Sequence, residues 1–229
     1  KDLINPFAID IDPMDRLLLI NFEKDPIIHI GFEPQVFNDP IQGEVHLIIA
    51  WRKDGKVDVY HQKSFRPDPG KFNIAGKGLA NMQSVIFDHD FFSINDYGVH
   101  AHYHFVDFYG RTIEIRISEK NHTKRRPFGL LAPMGDAAEN PSSLPLILLH
   151  DFYFVRKSKT VFMVCINGRT HKPDSLPMPI DWSRMYFTRY CPVPLIATFN
   201  PAFESTLTVL KIEEGTTTFT SGDYKYDLD

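Results

Sequence analysis

Hydrophobic and polar residues alternate over short stretches of this chain, which is the pattern of β-strands with one face in solvent. The clearest example is GVHAHYHF at 98–105, where histidines alternate with valine, alanine, tyrosine and phenylalanine. Apolar runs such as VHLIIAW and LPLILLH have the length of strands and are too short to span a membrane. The pattern therefore predicts strands rather than helices.

The spacing of these strands predicts hairpins. Residues 43–62 form a predicted hairpin about Asp54 and Gly55. A predicted three-strand meander occupies 84–94, 98–108 and 110–118. The best helix signal, GLANMQSV at 78–85, is short, and prolines and glycines lie mainly between the strand runs, where they mark turns.

About a dozen short strands in antiparallel order predict an all-β fold. We expect a single all-β domain over residues 1–229, with a subdivision near 119–143 left open. The antiparallel meander would close into a barrel or a barrel-like sandwich with little helix. Irregular segments at 62–78, 119–143 and 171–183 are long enough to cover a cavity, although they could equally be simple crossings between strands.

Hydrophobic matching predicts the register of the hairpin that carries the histidines. A three-residue loop at 108–110 pairs Phe105 with Ile113 and Tyr103 with Ile115, so that one face is continuously apolar. A two-residue loop would mix polar and apolar residues on both faces. The same reasoning predicts a three-residue loop at 53–55 in the earlier hairpin.

The opposite face of the histidine hairpin is then polar. It pairs His104 with Glu114, His102 with Arg116, and His100 with Ser118. An even-numbered loop before this strand would add His89 to the same face, whereas an odd-numbered loop would add Asp88 and Asp90. The sequence does not choose between these two loops.

Two histidines and a carboxylate are a ligand set for zinc or non-haem iron. Residues two apart on a strand are separated by about 6.8 Å, so His102 and His104 can converge on one ion with Glu114. His89 or Asp88 would supply a fourth ligand. The same three residues are the candidates for acid–base catalysis, with Glu114 orienting His104. The alternative is a strand with one face in solvent that binds neither a cofactor nor a metal.

Residues that would contact a ligand without taking part in chemistry are His89, His100, Arg116 and Trp182. The ligand itself would be apolar or amphipathic, because nineteen phenylalanines and nine tyrosines either fill a large core or line an apolar cavity.

Charge and cysteine content narrow the classes of partner and compartment. The net charge is -4, and the one basic run, KNHTKRRP at 120–127, has no interleaved aromatic residues, so a solvated loop is favoured over a nucleic-acid patch. Two cysteines make no disulfide framework. The cytoplasm is the default expectation, with secretion after removal of a signal segment left open.

The strand patterns carry a resemblance to a known family. HAHYHFVDFYGRTIEI and FVRKSKTVFMVCINGRTHKP are similar to the meandering strands of lipocalin-like proteins related to carotenoid hydratases, over about 84–213. The resemblance implies a calycin-type barrel that binds apolar ligands, some members of the family also hydrating or cyclising them. It transfers no catalytic residue to this chain.

Three functions are therefore expected. The first is binding of an apolar or amphipathic small molecule in the interior of the fold. The second is an enzyme on the same scaffold, a hydratase, isomerase or metal-dependent enzyme that uses the strand from His100 to His104. The third is a β-sandwich module that binds carbohydrate or protein through exposed tyrosine and tryptophan side chains.

Overall fold

The computed structural model describes residues 2–4, 9–23, 25, 27–134, 144–199, 209–211, 218–221 and 224–227. The regular elements in these ranges are strands and one short 3-10 helix, η1 (Pro69–Ile74). The strands are β1 (Asp2–Ile4), β2 (Ile9–Pro13), β3 (Arg16–Asn21), β4 (His29–Asp39), β5 (Gly43–Arg52), β6 (Val57–Gln62), β7 (Leu79–Val85), β8 (His89–Asn95), β9 (Gly98–Val106), β10 (Thr112–Glu119), β11 (Phe128–Pro133), β12 (Leu144–Arg156), β13 (Thr160–Ile166), β14 (Arg169–His171), β15 (Met185–Pro192), β16 (Leu195–Phe199), β17 (Val209–Lys211), β18 (Thr218–Ser221) and β19 (Tyr224–Asp227).

Most strands belong to two sheets. The small sheet has the order β14-β13-β10-β9-β8, and the large sheet has the order β2-β16-β12-β15-β3-β4-β5-β6-β7, with β11 beside β12. Two further strand pairs, β1 with β17 and β18 with β19, stand apart from these sheets. The all-β prediction is confirmed. Of its two forms the sandwich is observed, because neither of the described sheets closes on itself.

The two sheets pack face to face around the main core. The small sheet contributes Tyr103, Phe105 and Ile115, which are completely buried, and the large sheet contributes Phe32 and Ile48. Tyr60 and Phe105 pack with ring centroids 5.0 Å apart across this interface. The space between the sheets, where a barrel ligand was expected, is therefore occupied by packed side chains.

A second core lies on the outer face of the large sheet. It contains Leu47 and Ile49 from β5 and Val57 and Val59 from β6. Residues 62–78, which we call the cover segment, lie against this face and contribute partly buried phenylalanines. Strand β5 is therefore buried on both faces, which accounts for its uninterrupted apolar run.

The predicted hairpin registers are confirmed. Phe105 is opposite Ile113, and Trp51 is opposite Val57. The loop between β8 and β9 has an even length, so that His89 joins the face of the histidines, whereas Asp90 lies opposite Tyr103 on the other face. Within 119–143, residues 135–143 lie outside the described residues, and the question of a subdivision there stays open.

The weak helix signal at 78–85 does not correspond to a helix. Residues Leu79–Val85 form β7, which pairs in parallel with β6 at the edge of the large sheet. The helical signal was short, and the unpaired backbone groups of β6 offer this segment a full set of hydrogen bonds. Pairing with a distant strand outweighs the weak local pattern.

Candidate functional site

The outer face of the small sheet carries most of the residues singled out by the sequence. We call it the histidine face, and its members are His89, His100, His102, His104, Glu114 and Arg116. Strand register places them there, because His104 lies between His89 and Glu114, and His102 lies opposite Arg116. The three histidines of β9 are half-buried.

The side chains on this face form pairs. His104 Nδ1 donates a hydrogen bond to Asp88 Oδ2 at 2.7 Å, so the orienting carboxylate is Asp88 and not the predicted Glu114. Glu114 Oε1 instead lies 3.6 Å from His102 Nε2. The rings of His89 and His102 stack with centroids 4.1 Å apart, and His100 Nδ1 lies 3.1 Å from Ser118 Oγ.

Burial controls the charge of two of these rings. Desolvation lowers the pKa of His102, and the neighbouring His89 lowers it further. Desolvation is also the main cause that lowers the pKa of His100. Both rings are therefore favoured in the neutral form, the form that binds metals and accepts protons.

The predicted metal set is not gathered around one point. Among the described residues, no group of three or more His, Cys, Asp or Glu side chains is placed to hold a metal ion. Zinc or iron binding by His102, His104 and Glu114 therefore stays a prediction with no assembled site behind it.

Trp182 lies in a different part of the molecule from the histidine face. It is 98% exposed, at the tip of a turn closed by backbone bonds between Ile180 and Ser183. The side chain beside it, Asp181, pairs with Arg126 at 3.3 Å. None of these contacts joins it to the histidines.

A pocket of about 290 Å³ lies between the outer face of the large sheet and the cover segment. Its floor is formed by Phe37, Leu47 and Ile49, and the cover segment lines its other side with Phe65 and Phe72. Further lining residues are Asp12, Pro13, Met14, Gln35, Arg66, Pro67, Asp68, Lys71, Ala75, Met134 and Ile196. The lining is mainly apolar, as in pockets that bind small molecules.

The polar lining residues organise the cover segment. The Asp68 carboxylate accepts a hydrogen bond from Gly70 N at 2.9 Å and so caps η1. Lys71, on η1, forms an ion pair with Asp12 of β2, which fastens the cover segment to another strand of the large sheet. Arg66 adds an exposed cation to the lining.

This pocket was not predicted from the sequence, although a signal was present. Residues 62–78 were expected to cover a cavity or to cross between strands, and the cavity was expected in the interior of a barrel. The apolar run of β5 and the two phenylalanines of the irregular segment, Phe65 and Phe72, together indicate a second apolar layer outside the sheet.

A buried ionic cluster joins the two sheets at one end. Arg111 is 6% exposed and donates to Asp107 Oδ2 at 2.9 Å and to Asp25 Oδ2 at 2.7 Å. It also lies 3.0 Å from His29 Nδ1, and His29 Nε2 lies 3.3 Å from Asp58 Oδ2. This cluster was not predictable from the sequence, because its members come from distant parts of the chain.

The cluster keeps Asp25 and Asp58 ionised. Burial alone would raise the pKa of Asp25, but the hydrogen bond from Arg111 and two backbone N–H groups hold that pKa well below its usual range. The pKa of Asp58 is likewise lowered, against the effect of burial, by bonds from His29, Asn81 and Arg52. Because these groups are satisfied by one another and mostly buried, the cluster serves structure.

No helix within the described ranges is long and apolar enough to cross a membrane. No protein-family model, curated protein or solved structure matches this chain. The function must therefore be inferred from the geometry of the pocket and of the histidine face.

Proposed function

We propose that this protein binds an apolar or amphipathic small molecule in the pocket beneath the cover segment. The observation that carries the proposal is the pocket itself, a cavity of about 290 Å³ whose floor and cover are apolar. That volume lies near the lower end of the range for small-molecule sites. It suits one compact ligand or one alkyl chain.

The lining has the polarity that an amphipathic ligand requires. Phe37, Leu47 and Ile49 remove the apolar part of a ligand from water, which is the main favourable term in such binding. Arg66, Lys71 and Asp68 are the polar groups near which a head group would lie. The cover segment is also joined to the turn between β4 and β5 by a hydrogen bond of 2.6 Å from Gln42 Nε2 to Ser64 O.

A fluorescent apolar probe, 1-anilinonaphthalene-8-sulfonate, tests the proposal directly. We expect saturable fluorescence at neutral pH that dodecanoic acid or dodecanol displaces. Phe72→Ala removes one wall of the pocket and should weaken probe binding by about 5- to 30-fold, the equivalent of about 1–2 kcal/mol. Phe91→Ala is the matched control, because Phe91 is an exposed phenylalanine on the histidine face.

The control variant tests whether the probe binds in the pocket, and the unmodified protein tests whether it binds at all. Equal loss of binding in Phe72→Ala and Phe91→Ala would place the probe elsewhere and contradict the pocket. Absence of saturable binding in the unmodified protein would reject the function. Unfolding midpoints of both variants, measured in parallel, separate lost binding from lost structure.

Acid–base catalysis on the histidine face is a second candidate, and the bond between His104 and Asp88 favours it. Asp88 accepts the Nδ1 proton at 2.7 Å, which leaves His104 Nε2 as the basic atom. The ring is about one-third exposed, so a substrate can reach it. A carboxylate that orients a histidine in this way is a common feature of catalytic bases.

Hydrolysis of p-nitrophenyl acetate, a generic activated ester, tests this second candidate. His104→Gln should lower the rate by about 100-fold if His104 is a general base, and Asp88→Asn should lower it less. His150→Gln is the matched control, since His150 is strongly exposed and lies on β12 of the large sheet. Equal rates in all three variants would reject the catalytic role.

A further inference from the structure

Four loops meet at one end of the sandwich, which we call the basic end. They are the β8–β9 turn at 95–98, the segment 120–127, the β12–β13 turn at 157–159 and the segment 176–184. Three backbone hydrogen bonds tie them together, from Lys120 N to Lys159 O (3.0 Å), from Asn121 N to Tyr97 O (3.3 Å) and from Lys157 N to Arg184 O (2.9 Å). The ion pair between Arg126 and Asp181 adds a fourth link. The basic run of the sequence therefore lies beside the turn that carries Trp182.

The charge of this end is opposite to that of the whole chain. The chain has a net charge of -4, yet these four loops hold seven cations and only two carboxylates. The cations are Lys120, Lys124, Arg125, Arg126, Lys157, Lys159 and Arg184, and the carboxylates are Asp96 and Asp181. The neighbouring Glu119 is buried and paired with Arg156, so it does not reduce the surface charge.

The Trp182 turn is built against local preference. Asp181 and Trp182 both have positive φ angles, 48° and 64°, and the backbone bonds between Ile180 and Ser183 close a two-residue turn. Such turns favour glycine or asparagine, and a bulky side chain in the left-handed region costs free energy. Trp182 nevertheless occupies the tip, with 98% of its surface in solvent.

Other apolar side chains are exposed on the loops of the basic end. Met178 is 67% exposed and Tyr97 is 46% exposed. Tyr97 packs its ring edge-on against His122 at 4.4 Å between centroids, which orients it at the surface. Aromatic side chains next to lysine and arginine are the composition found where proteins contact the headgroup region of a membrane.

We infer that the basic end docks on an anionic lipid surface, with Trp182 inserted at the level of the headgroups. The cations supply long-range attraction to acidic lipids, and the tryptophan and methionine supply a shallow apolar anchor. A neutral carbohydrate has no charge to attract seven cations. A nucleic acid has no apolar layer that would bury the exposed Met178. The combination therefore favours an anionic lipid surface. This docking is independent of the pocket beneath the cover segment.

Tryptophan fluorescence of the full chain with vesicles tests the inference. Vesicles of phosphatidylcholine with roughly one-third phosphatidylserine should shift the emission to shorter wavelength at low salt, and high salt should reverse the shift. Trp182→Ala should abolish the shift, because the other tryptophan, Trp51, is held in the fold by a bond of 2.9 Å to Glu33. Vesicles of phosphatidylcholine alone should give no shift.

Charge variants measure the electrostatic part by co-sedimentation. Lys124→Gln with Arg184→Gln should weaken partitioning onto the anionic vesicles by about 30-fold. Lys56→Gln with Lys77→Gln removes the same charge from exposed positions near the opposite end and should leave partitioning unchanged. All four positions are exposed, and matching unfolding midpoints would verify that the variants fold.

Three results would overturn the inference. The first is equal partitioning onto anionic and neutral vesicles, and the second is an equal loss in both charge variants. The third is a single-stranded oligonucleotide that displaces the protein from vesicles at low concentration, which would assign the basic end to nucleic acid.

Discussion

The outer faces of the two sheets differ in what covers them. The small sheet presents its outer face to solvent, and there the strand β9 alternates histidines with buried Val99, Ala101 and Tyr103. The large sheet hides part of its outer face beneath the cover segment, and there β5 is buried through six consecutive residues. Alternation of polar and apolar residues along a strand therefore indicates one buried face, whereas an unbroken apolar run indicates that both faces are buried.

This difference separates the two candidate functions. An open polar face offers side chains to a partner or substrate but cannot exclude water. A covered apolar face excludes water and can hold a ligand in the gap between sheet and cover. Small-molecule binding is accordingly proposed for the large sheet, and acid–base chemistry for the small one.

The largest change in the free energy of unfolding should come from a substitution in the buried ionic cluster, which joins the two sheets. Such a substitution leaves the outer faces of both sheets intact. Arg111→Ala leaves Asp25 and Asp107 buried without their cation, and it should lower the free energy of unfolding by about 3–5 kcal/mol. Urea denaturation at neutral pH measures this change. Arg169→Ala is the control, because Arg169 is exposed and its ion pair with Glu23 is 3.6 Å long.

A loss below about 1 kcal/mol for Arg111→Ala would show that the two sheets do not depend on the buried cluster. Probe binding in the pocket, measured on the folded variant, should persist, because Arg111 does not line that pocket.

The next effect tests whether β5 is buried on both faces. Ile48→Ala acts between the sheets and Ile49→Ala acts beneath the cover segment, and each should cost about 2–4 kcal/mol. On the small sheet, Val161→Ala should change stability by no more than about 0.5 kcal/mol, since Val161 is 55% exposed. Denaturant midpoints of the three variants would be compared at constant pH.

A mild effect of Ile49→Ala beside a severe effect of Ile48→Ala would mean that the cover segment adds little. Apolar burial beneath the cover segment would then be small, and the proposal of small-molecule binding would lose its main support.

Hairpin registers were predictable because they depend only on neighbouring residues. Matching Phe105 to Ile113 required no knowledge beyond the alternation of two adjacent strands. The length of the loop between β8 and β9 was not decided by this matching, since both even and odd loops place plausible residues beside the histidines. The placement of His89 therefore needed the structure.

Long-range pairing was not predictable for a physical reason. The cover segment acquires its role only when it folds onto β4 and β5, and Arg111 meets Asp25 across 86 positions of sequence. Hydrophobic periodicity and composition predict which face of a strand is buried. They do not predict which distant segment covers that face. The pocket was therefore expected in the interior of the fold, and it lies on the outer face of the large sheet.

A moderate effect should follow from weakening the cover segment. Phe65→Ala removes a partly buried ring that stacks on Phe37 at 5.7 Å between centroids. We expect a loss of about 1–2 kcal/mol in unfolding free energy and faster proteolysis confined to 62–78. Limited proteolysis followed by mass spectrometry locates the cleavage.

Cleavage that appears first on the histidine face, rather than in 62–78, would contradict the role of Phe65 in holding the cover segment against the sheet. Phe91→Ala again serves as the matched substitution, because it removes an exposed ring from the small sheet.

The smallest effect concerns the protonation of the open face. Desolvation lowers the pKa of His102 and of His100, so the folded protein binds protons to these rings less readily than the unfolded chain does. Stability from this source is complete above the unfolded histidine pKa of about 6.5 and declines as the pH falls through that value towards the lowered pKa.

His102→Gln removes one such group. At pH near 7.5 it should change the free energy of unfolding by less than about 1 kcal/mol, and between pH near 7.5 and pH near 5.5 its stability should fall less than that of the unmodified protein. Urea denaturation at both pH values gives the two slopes. Identical slopes would mean that His102 is as solvated in the fold as in the unfolded chain, and that burial does not favour the neutral form of this ring.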